Sequence, residues 1–268
     1  MRAAILTLGL VLYTVVSFAG SIADTYVIPV AGHVSGANGE TWITDVTLHN
    51  VGDSTIVVDL AGIGPDGDVI SLNTESATIA AHETVALRDV VRPSAVGALV
   101  VAGSGPFTGT TRVYTAGPAG DVGTDVPAVN EFLGPDTGAA FLPGIISNSR
   151  YRTNIGFLAI ADATDLQFEI TLLDAAGTPI GRRTFEVAAG RAAHRQFSSR
   201  DIAPASFDSA TARVTLIAGD GAITAYASVI DHASSDSSFI PAAVLDSGSA
   251  NALRRHVFLL RQAPGSQR

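Results

Sequence analysis

Residues that could take part in acid–base or nucleophilic chemistry are scattered along this chain. There are six histidines, and no two have the His-x-His or His-x-x-x-His spacing of a local zinc site. Asp231, His232 and Ser234 supply the residue types of a serine triad, but no Gly-x-Ser-x-Gly elbow accompanies them. We therefore expect a solvated loop there. His82 and His194 are expected in loops or at strand starts, so the sequence predicts no catalytic residue.

Several chemistries are excluded by missing residue types. The chain has no cysteine, which rules out disulfides, zinc–thiolate sites and thiol catalysis. Its 16 basic residues are all arginine, so a Schiff base and a phosphate-loop lysine are excluded too. With 25 acidic residues the net charge is −9, and nucleic acid is not an expected partner because phosphate contacts come mainly from Lys and Arg.

Metal binding has one weak sequence signal. Asp66-Gly67-Asp68 has the spacing of a fragment of a calcium loop, but the Glu that closes an EF-hand loop is missing. A β-turn explains the motif better. A weak Ca²⁺ site built from scattered carboxylates stays open, and no other cofactor is expected.

Candidate ligand-binding residues are three tyrosines and two arginines. Tyr114, Tyr151 and Tyr226 are the rings that could form a ligand platform. Arg150 and Arg152 flank Tyr151 and could recognise an acidic glycan or a surface protein, with surface arginines lacking any ligand as the alternative. The sequence indicates no oligomeric state.

The elements that must position these side chains are β-strands. Apolar residues recur at every second position over residues 42–48, 56–60, 168–172 and 212–216. Turn motifs rich in Gly, Pro and Asp separate these runs. Helix is expected only as short turns near residues 88–94 and 198–202. The single tryptophan, Trp42, shares a strand face with Val46 and Leu48, which predicts that it is packed in a core.

The strand pattern occurs twice. Pro29 and Pro127 are 98 positions apart, as are Pro143 and Pro241, and residues 42–48 match residues 151–157 without a gap. A period of ~100 residues indicates duplication of a whole domain. We therefore predict a first β-sandwich domain over residues 24–135 and a second over 136–246. The four prolines should lie at strand ends or edges, because proline cannot donate to a ladder.

The repeated motifs resemble those of a known group of proteins. The Ile-Pro entry, the strand from Trp42 to Asn50, the Pro65-Asp66-Gly67 turn and the exit from Phe239 to Ala242 are similar to the tandem Ig-like β-sandwich modules of secreted bacterial proteins. The resemblance covers residues 25–245. It implies an all-β protein with two tandem Ig-like antiparallel β-sandwich domains, in an extracellular module of largely uncharacterised role.

The ends of the chain suggest export. Residues 1–23 have the anatomy of a signal peptide, with Arg2, an apolar run and a small-x-small cleavage site ending at Ala19 or Ala23. No later segment is long and apolar enough to span a bilayer. Residues 247–268 form a basic C-terminal tail. The leading hypothesis is a non-enzymatic exported protein with a structural or adhesive role at the cell surface. The alternatives are a carbohydrate- or ligand-binding module and a hydrolase with an unrecognised site.

Overall fold

The structure, a computed structural model, describes residues 22–36, 39–117, 120–129 and 131–245. Within these residues the regular elements are seventeen strands and two single-turn 3₁₀ helices, and all strand pairs are antiparallel. The predicted all-β class is confirmed. Residues 1–21 of the expected signal peptide and the whole basic tail, 247–268, lie outside the described residues.

The first β-array consists of eight strands joined in one sheet system. They are β1 (Ala23–Ser35), β2 (Thr41–Asn50), β3 (Ile56–Ile63), β4 (Val69–Ile70), β5 (Ser76–Ile79), β6 (Thr84–Leu87), β7 (Ala95–Gly117) and β8 (Gly120–Asp125). The order is β4-β3-β7-β1-β2-β6, with β5 on β3 and β8 on β7. The long strand β7 pairs with β1 and β3 through its first half and with β2 and β8 through its second half. These strands therefore enclose one core, which contains Ile28, Leu48, Leu99 and Phe107.

The second β-array consists of two separate sheets. Its strands are β9 (Ala139–Ser147), β10 (Tyr151–Ala161), β11 (Leu166–Leu173), β12 (Pro179–Val187), β13 (Ala192–Ser198), β14 (Phe207–Ala218), β15 (Gly221–Asp231), β16 (Ser237–Pro241) and β17 (Ala243–Leu245). One sheet has the order β13-β10-β15-β16 and the other β12-β11-β14-β9-β17. They pack around Phe157, Phe168 and Phe185, whose ring centroids lie 4.9–5.4 Å apart, so the array is a β-sandwich.

Apolar and polar residues alternate in those strands that have one face against the core. In β3, Ile56, Val58 and Leu60 are buried while Val57 and Asp59 are exposed. The turn expected near residues 198–202 is present as a 3₁₀ helix, Ser199–Asp201, capped by Ser198. The turn expected over residues 88–94 is not helical, and the second 3₁₀ helix is Pro65–Gly67.

The four marker prolines lie where a ladder is interrupted or ends. Pro29 falls at a register shift in β1, and Pro143 falls at one in β9 beside Gly144. Pro127 lies outside the strands, and Pro241 ends β16. The predicted position at a strand end or edge is confirmed for Pro127 and Pro241. It is wrong for Pro29 and Pro143, which lie inside the inner strands β1 and β9, where the break in register tolerates a missing N–H donor.

The two β-arrays are in contact through a third apolar cluster. Val27, Val100, Leu158 and Ile160 belong to it, and all four are at most 5% exposed. The connecting segment joins both sides, since Val129 pairs with Val27 of the first array and Leu133 pairs with Ile223 of the second. No helix within the described residues is long and apolar enough to span a membrane.

Candidate functional site

A cavity of about 340 Å³ lies between the two β-arrays. Its first wall comes from β1, β2, β7, β8 and neighbouring residues, and its second from β10, β13, β15 and β16. Ligand pockets typically have volumes of ~300–1,000 Å³ and often form between domains. The cavity is therefore at the lower end of the range for a small-molecule site.

Sheet register brings the polar residues of the second wall together. Arg152 on β10 pairs with Ile230 on β15, which pairs with Ser237 on β16. Two residues along, Asn154 pairs with Ser228, which pairs with Phe239. All six residues line the cavity. Because side chains alternate across a strand, Thr153 and Ile155 are buried on the opposite, core-facing side.

Tyr226 forms the inner part of this wall. Its ring stacks between His194 and Phe239, with centroid distances of 6.0 and 5.4 Å. It also lies flat against Gly156, where a Cβ atom would collide with the ring. The Tyr226 Oη is 2.9 Å from His194 Nε2 and donates to Gln196 Oε1 over 3.4 Å. Glycine at position 156 is thus what allows the ring to cover the strand.

Burial keeps both His194 and Tyr226 in their uncharged forms at pH 7. Tyr226 is 0% and His194 1% exposed. Desolvation lowers the pKa of His194 to about 4, so its imidazole is neutral at pH 7, and burial raises the pKa of Tyr226 far above its usual value. His194 Nδ1 has no hydrogen-bond partner within the described residues. The pair is a neutral support for the cavity wall and not a charged site.

Trp42 contributes an indole ring to the first wall, and the prediction that it is packed in a core is wrong. The ring is half-buried, and its Nε1 donates to Glu40 Oε1 over 3.2 Å. The strand face was predicted correctly, since Val46 and Leu48 are fully buried. The apolar face ends at Thr44, whose hydroxyl is hydrogen-bonded to Gly32, and Trp42 lies beyond that point at the cavity. Tyr151 is likewise half-buried at the start of its strand.

The charge of the cavity is unusual for an acidic protein. Arg152 is the one charged residue among the described lining residues. No carboxylate of the described chain lies within 4.0 Å of its guanidinium. Ser237 Oγ is buried and has no hydrogen-bond partner within the same residues. The second wall thus presents a cation and a hydroxyl that a ligand could satisfy.

The five predicted ligand-binding residues are not all at this cavity. Arg152 and Tyr226 line it. Arg150 instead forms an ion pair with Asp231, with Nε 3.1 Å from Oδ2, and its guanidinium stacks on Tyr151. Tyr114 Oη donates to Asp45 Oδ2 over 3.2 Å. The structure therefore brings two of the five together at the cavity and places the other three in contacts elsewhere.

Residues that the sequence reasoning missed complete the wall. Asn154, Gln196, Ser228, Ser237 and Phe239 all line the cavity, yet none was singled out. The available signal was two runs without polar alternation, the apolar residues 157–161 and residues 222–227, in which Thr224 is the single aliphatic polar residue. A strand buried on one face only should alternate, and runs of this kind indicate burial on both faces.

The candidate catalytic and metal motifs have structural uses. The Asp231 carboxylate accepts from the N–H groups of Ala233 and Ser234 as well as from Arg150, so it closes the turn that contains His232. His82 Nε2 lies 3.0 Å from Oδ1 of the exposed Asp53. Asp66 is paired with Arg195. Within the described residues no group of three or more His, Asp or Glu side chains is placed to hold a metal ion, and a weak Ca²⁺ site stays a prediction.

Comparisons with known proteins give little. No protein-family model and no curated protein matches the sequence. Among solved structures, a lectin from Pleurotus ostreatus in complex with GalNAc is 10% identical, with a TM-score of 0.20 over 85% of this chain and 78% of the lectin. A glycosyl hydrolase family 2 member from Bacteroides cellulosilyticus is 10% identical, with a TM-score of 0.19 over 74% of this chain and 26% of that enzyme. At such TM-scores these likenesses carry no argument about fold or function.

Proposed function

We propose that this protein is a non-catalytic, exported module that binds a small molecule in the cavity between its two β-arrays. The observation that carries the proposal is the cavity itself, which combines an unpaired arginine, a buried unsatisfied hydroxyl and aromatic rings. Few convergent polar groups in a mainly apolar pocket are typical of ligand sites. A volume of about 340 Å³ suits a small molecule and not a polymer.

The proposal includes an origin by duplication of an Ig-like sandwich. Two features of the strand pairing support it. In the first array β6, β2, the second half of β7 and β8 are neighbours, in the same order as β13, β10, β15 and β16. Val46 pairs with Leu87 and Thr111, and Ile155, its match in the gapless alignment, pairs with Phe197 and Ala227 at the corresponding places.

The absence of catalysis is proposed on chemical grounds. Catalysis needs a nucleophile or activated water, a base and a stabiliser held in one place. The described lining residues include neither a carboxylate nor a histidine. Ester, peptide and glycoside substrate panels test this part of the proposal. Turnover that H194Q or H232Q abolishes would promote the hydrolase alternative.

Export is proposed from the N-terminal sequence and is tested by intact-mass analysis of secreted material. The sequence offers cleavage after Ala23 or after Ala19. Ala23 begins β1, pairs with Phe107 and packs against the first core. A chain that starts at Gly20 keeps this pairing, and one that starts at Asp24 lacks its first residue. Retention of the full-length chain in a membrane fraction would contradict export with cleavage.

Ligand binding is tested by calorimetry with four classes of small molecules, namely neutral sugars, amines, amides and organic acids. Ser228→Leu places an apolar side chain in the cavity, and Ser238→Leu makes the same change at an exposed position of β16. We expect at least one class to bind the wild-type protein and the S238L variant, and not the S228L variant. Absence of binding in all classes, or equal binding by both variants, would reject the cavity as the site.

A structural or adhesive role at the cell surface is the second candidate function. The apolar cluster between the arrays favours it, because a buried interface of this kind makes a two-array chain act as a rigid spacer. Binding of a surface protein or glycan to the outer faces, with the cavity blocked by S228L, would support this second candidate.

A further inference from the structure

We infer that the ligand of the cavity is a small organic carboxylate with an apolar or aromatic body, and that Arg152 is the residue that selects it. The inference rests on the proposed function, because it assigns a chemical class to the same cavity. Three features of the cavity support this assignment, namely the lack of an anionic partner for Arg152 in the described chain, the neutral donors beside it and the apolar surface around it.

Like several other described arginines, Arg152 has no anionic partner, and what sets it apart is that it lines the cavity. Arg88 is paired with Asp45, Arg150 with Asp231 and Arg195 with Asp66. Arg152 is half-buried, lines the cavity and has no carboxylate within 4.0 Å in the described chain. A partly desolvated guanidinium favours a counter-ion, and its fork of N–H donors matches a carboxylate in bidentate geometry.

Neutral donors lie on the same face of the sheet as Arg152. Ser237 lies two strands away from Arg152 at the same register position, with Ile230 between them. Asn154 is two residues further along the same strand as Arg152. Ser237 Oγ is buried without a partner, so it can donate to a second oxygen of the bound molecule. One cation together with neutral donors suits a monoanion. A dianion such as a phosphate ester would leave charge uncompensated.

Most of the remaining lining is apolar, with Ser35, Thr124, Gln196 and Ser228 as its other polar side chains, and this surface bears on the body of the ligand. Trp42 on one wall and Phe239 on the other are both half-buried rings. Aliphatic side chains fill the surface between and around them, namely Val30, Val34, Val96, Val113, Val126 and Ile230. Such a surface favours a ring or branched hydrocarbon as the body of the ligand, because burying apolar surface is favourable whereas burying polar groups is costly.

The negative net charge of the protein does not prevent the cavity from binding an anionic ligand. The net charge of −9 repels an anion at long range. At physiological salt, charges on the surface are screened beyond about 8 Å, whereas a contact inside a cavity is screened much less. Glu40 is a carboxylate beside the first wall, where its Oε1 accepts from Trp42 Nε1 and from Ser235 Oγ, but it is not among the described lining residues. Arg152 therefore sets the local preference.

Trp42 makes the test direct, because it is the only tryptophan and it lines the cavity. Benzoate, benzamide and benzylamine share a ring and differ in charge, so they serve as probes in tryptophan fluorescence and calorimetry. The variants are Arg152→Gln and the matched control Arg150→Gln, whose arginine is paired with Asp231 outside the cavity. Thermal unfolding of each variant checks that it is folded.

We expect benzoate to bind most tightly and to change Trp42 emission. The R152Q variant should weaken benzoate binding by about tenfold or more, the usual effect of losing a charge-assisted hydrogen bond. Benzamide binding should change little in R152Q, and R150Q should match the wild type. Equal affinities for the three probes, or an unchanged benzoate affinity in R152Q, would overturn the assignment of a carboxylate while leaving ligand binding intact. Absence of binding by all three probes and by every class in the wider panel would overturn both proposals.

Discussion

The backbone N–H of His194 donates to the carbonyl oxygen of Gly64 over 3.0 Å, so a main-chain hydrogen bond joins the two β-arrays. Beside it, Asp66 is paired with Arg195, and the Asp66 carbonyl oxygen accepts from Arg191 Nη2 over 3.2 Å. The 3₁₀ turn Pro65–Gly67 is therefore docked on β13. The turn that resembled a fragment of a calcium loop in the sequence therefore forms a contact between the two arrays.

Gly67→Ala should weaken this contact between the two arrays. Gly67 has φ of +82°, and a Cβ there would collide with the Ala192 carbonyl oxygen, which is backbone and cannot rotate away. We expect a loss of about 2–4 kcal/mol in the free energy of unfolding, from backbone strain plus the collision. Hydrogen exchange at the His194 amide should become faster in the same variant.

Gly177→Ala is the matched control. Its φ is +80°, but nothing lies within 4 Å of the new Cβ, so it carries the backbone strain alone. It should cost about 1 kcal/mol and leave exchange at His194 unchanged. If both variants gave the same His194 exchange rate, the docking of the turn would not stabilise the contact between the arrays.

Acidification should weaken the fold through His194. Its pKa is about 4 in the folded protein and its ordinary value is 6.5. Between these values the unfolded chain binds more protons, so stability is fully present above pH 6.5 and is lost as pH falls toward 4. The loss amounts to about 3 kcal/mol at the lower limit. Urea unfolding from pH 7 to pH 4 measures it.

The variant His194→Gln removes the titrating group and should flatten this part of the pH profile, although it lowers stability at pH 7. His82→Gln removes an exposed histidine and should keep the wild-type slope. A slope that persists undiminished in H194Q would mean that other groups cause the acid sensitivity.

Asp45→Asn should destabilise the first array. The carboxylate is buried and accepts from the Asp89 N–H over 2.9 Å, from Arg88 and from Tyr114 Oη. Burial pushes the pKa of Asp45 upward, but these hydrogen bonds outweigh it, and the pKa lies below its usual value. Removing the charge should cost about 2 kcal/mol at pH 7.

The exposed residue Asp53 offers a matched control for that change. Asp53→Asn should alter the free energy of unfolding by less than about 0.5 kcal/mol. Because the folded pKa of Asp45 is lowered, its contribution is present above pH 3.8 and disappears as pH falls through the folded value. The wild type and D45N should therefore converge in strongly acidic solution, and a constant gap between them would refute the electrostatic explanation.

Much of the fold could be predicted from local pattern, because alternation reports one buried strand face. The residues of β3 and the turn at Ser198 follow from the sequence in this way. Two of the cavity residues, Arg152 and Tyr226, were identified by residue type alone. The cavity itself could not be predicted, because it forms where residues far apart in sequence meet. Asn154 and Ser237 are also residue types that are common on any solvent-exposed strand face, so nothing in the sequence marks them as cavity residues. Trp42 was misplaced because alternation gives the face of a strand and not where the core ends.

Gly156→Ala should disrupt the cavity wall from the inside. A Cβ at this position would collide with the ring atoms of Tyr226, which is packed between His194 and Phe239 and lines the cavity. We expect a cost of about 1–3 kcal/mol from overpacking, together with loss of the contact between Tyr226 Oη and His194 Nε2. Denaturant unfolding measures the cost, and the histidine NMR signals report the contact.

Gly138→Ala is the control, because its Cβ would meet only Leu245 Cδ2 at an ordinary 3.6 Å. Since the displaced ring would occupy part of the cavity, G156A should also shift the emission of Trp42, whereas G138A should not. Unchanged stability and emission in G156A would contradict the placement of Tyr226 against this strand.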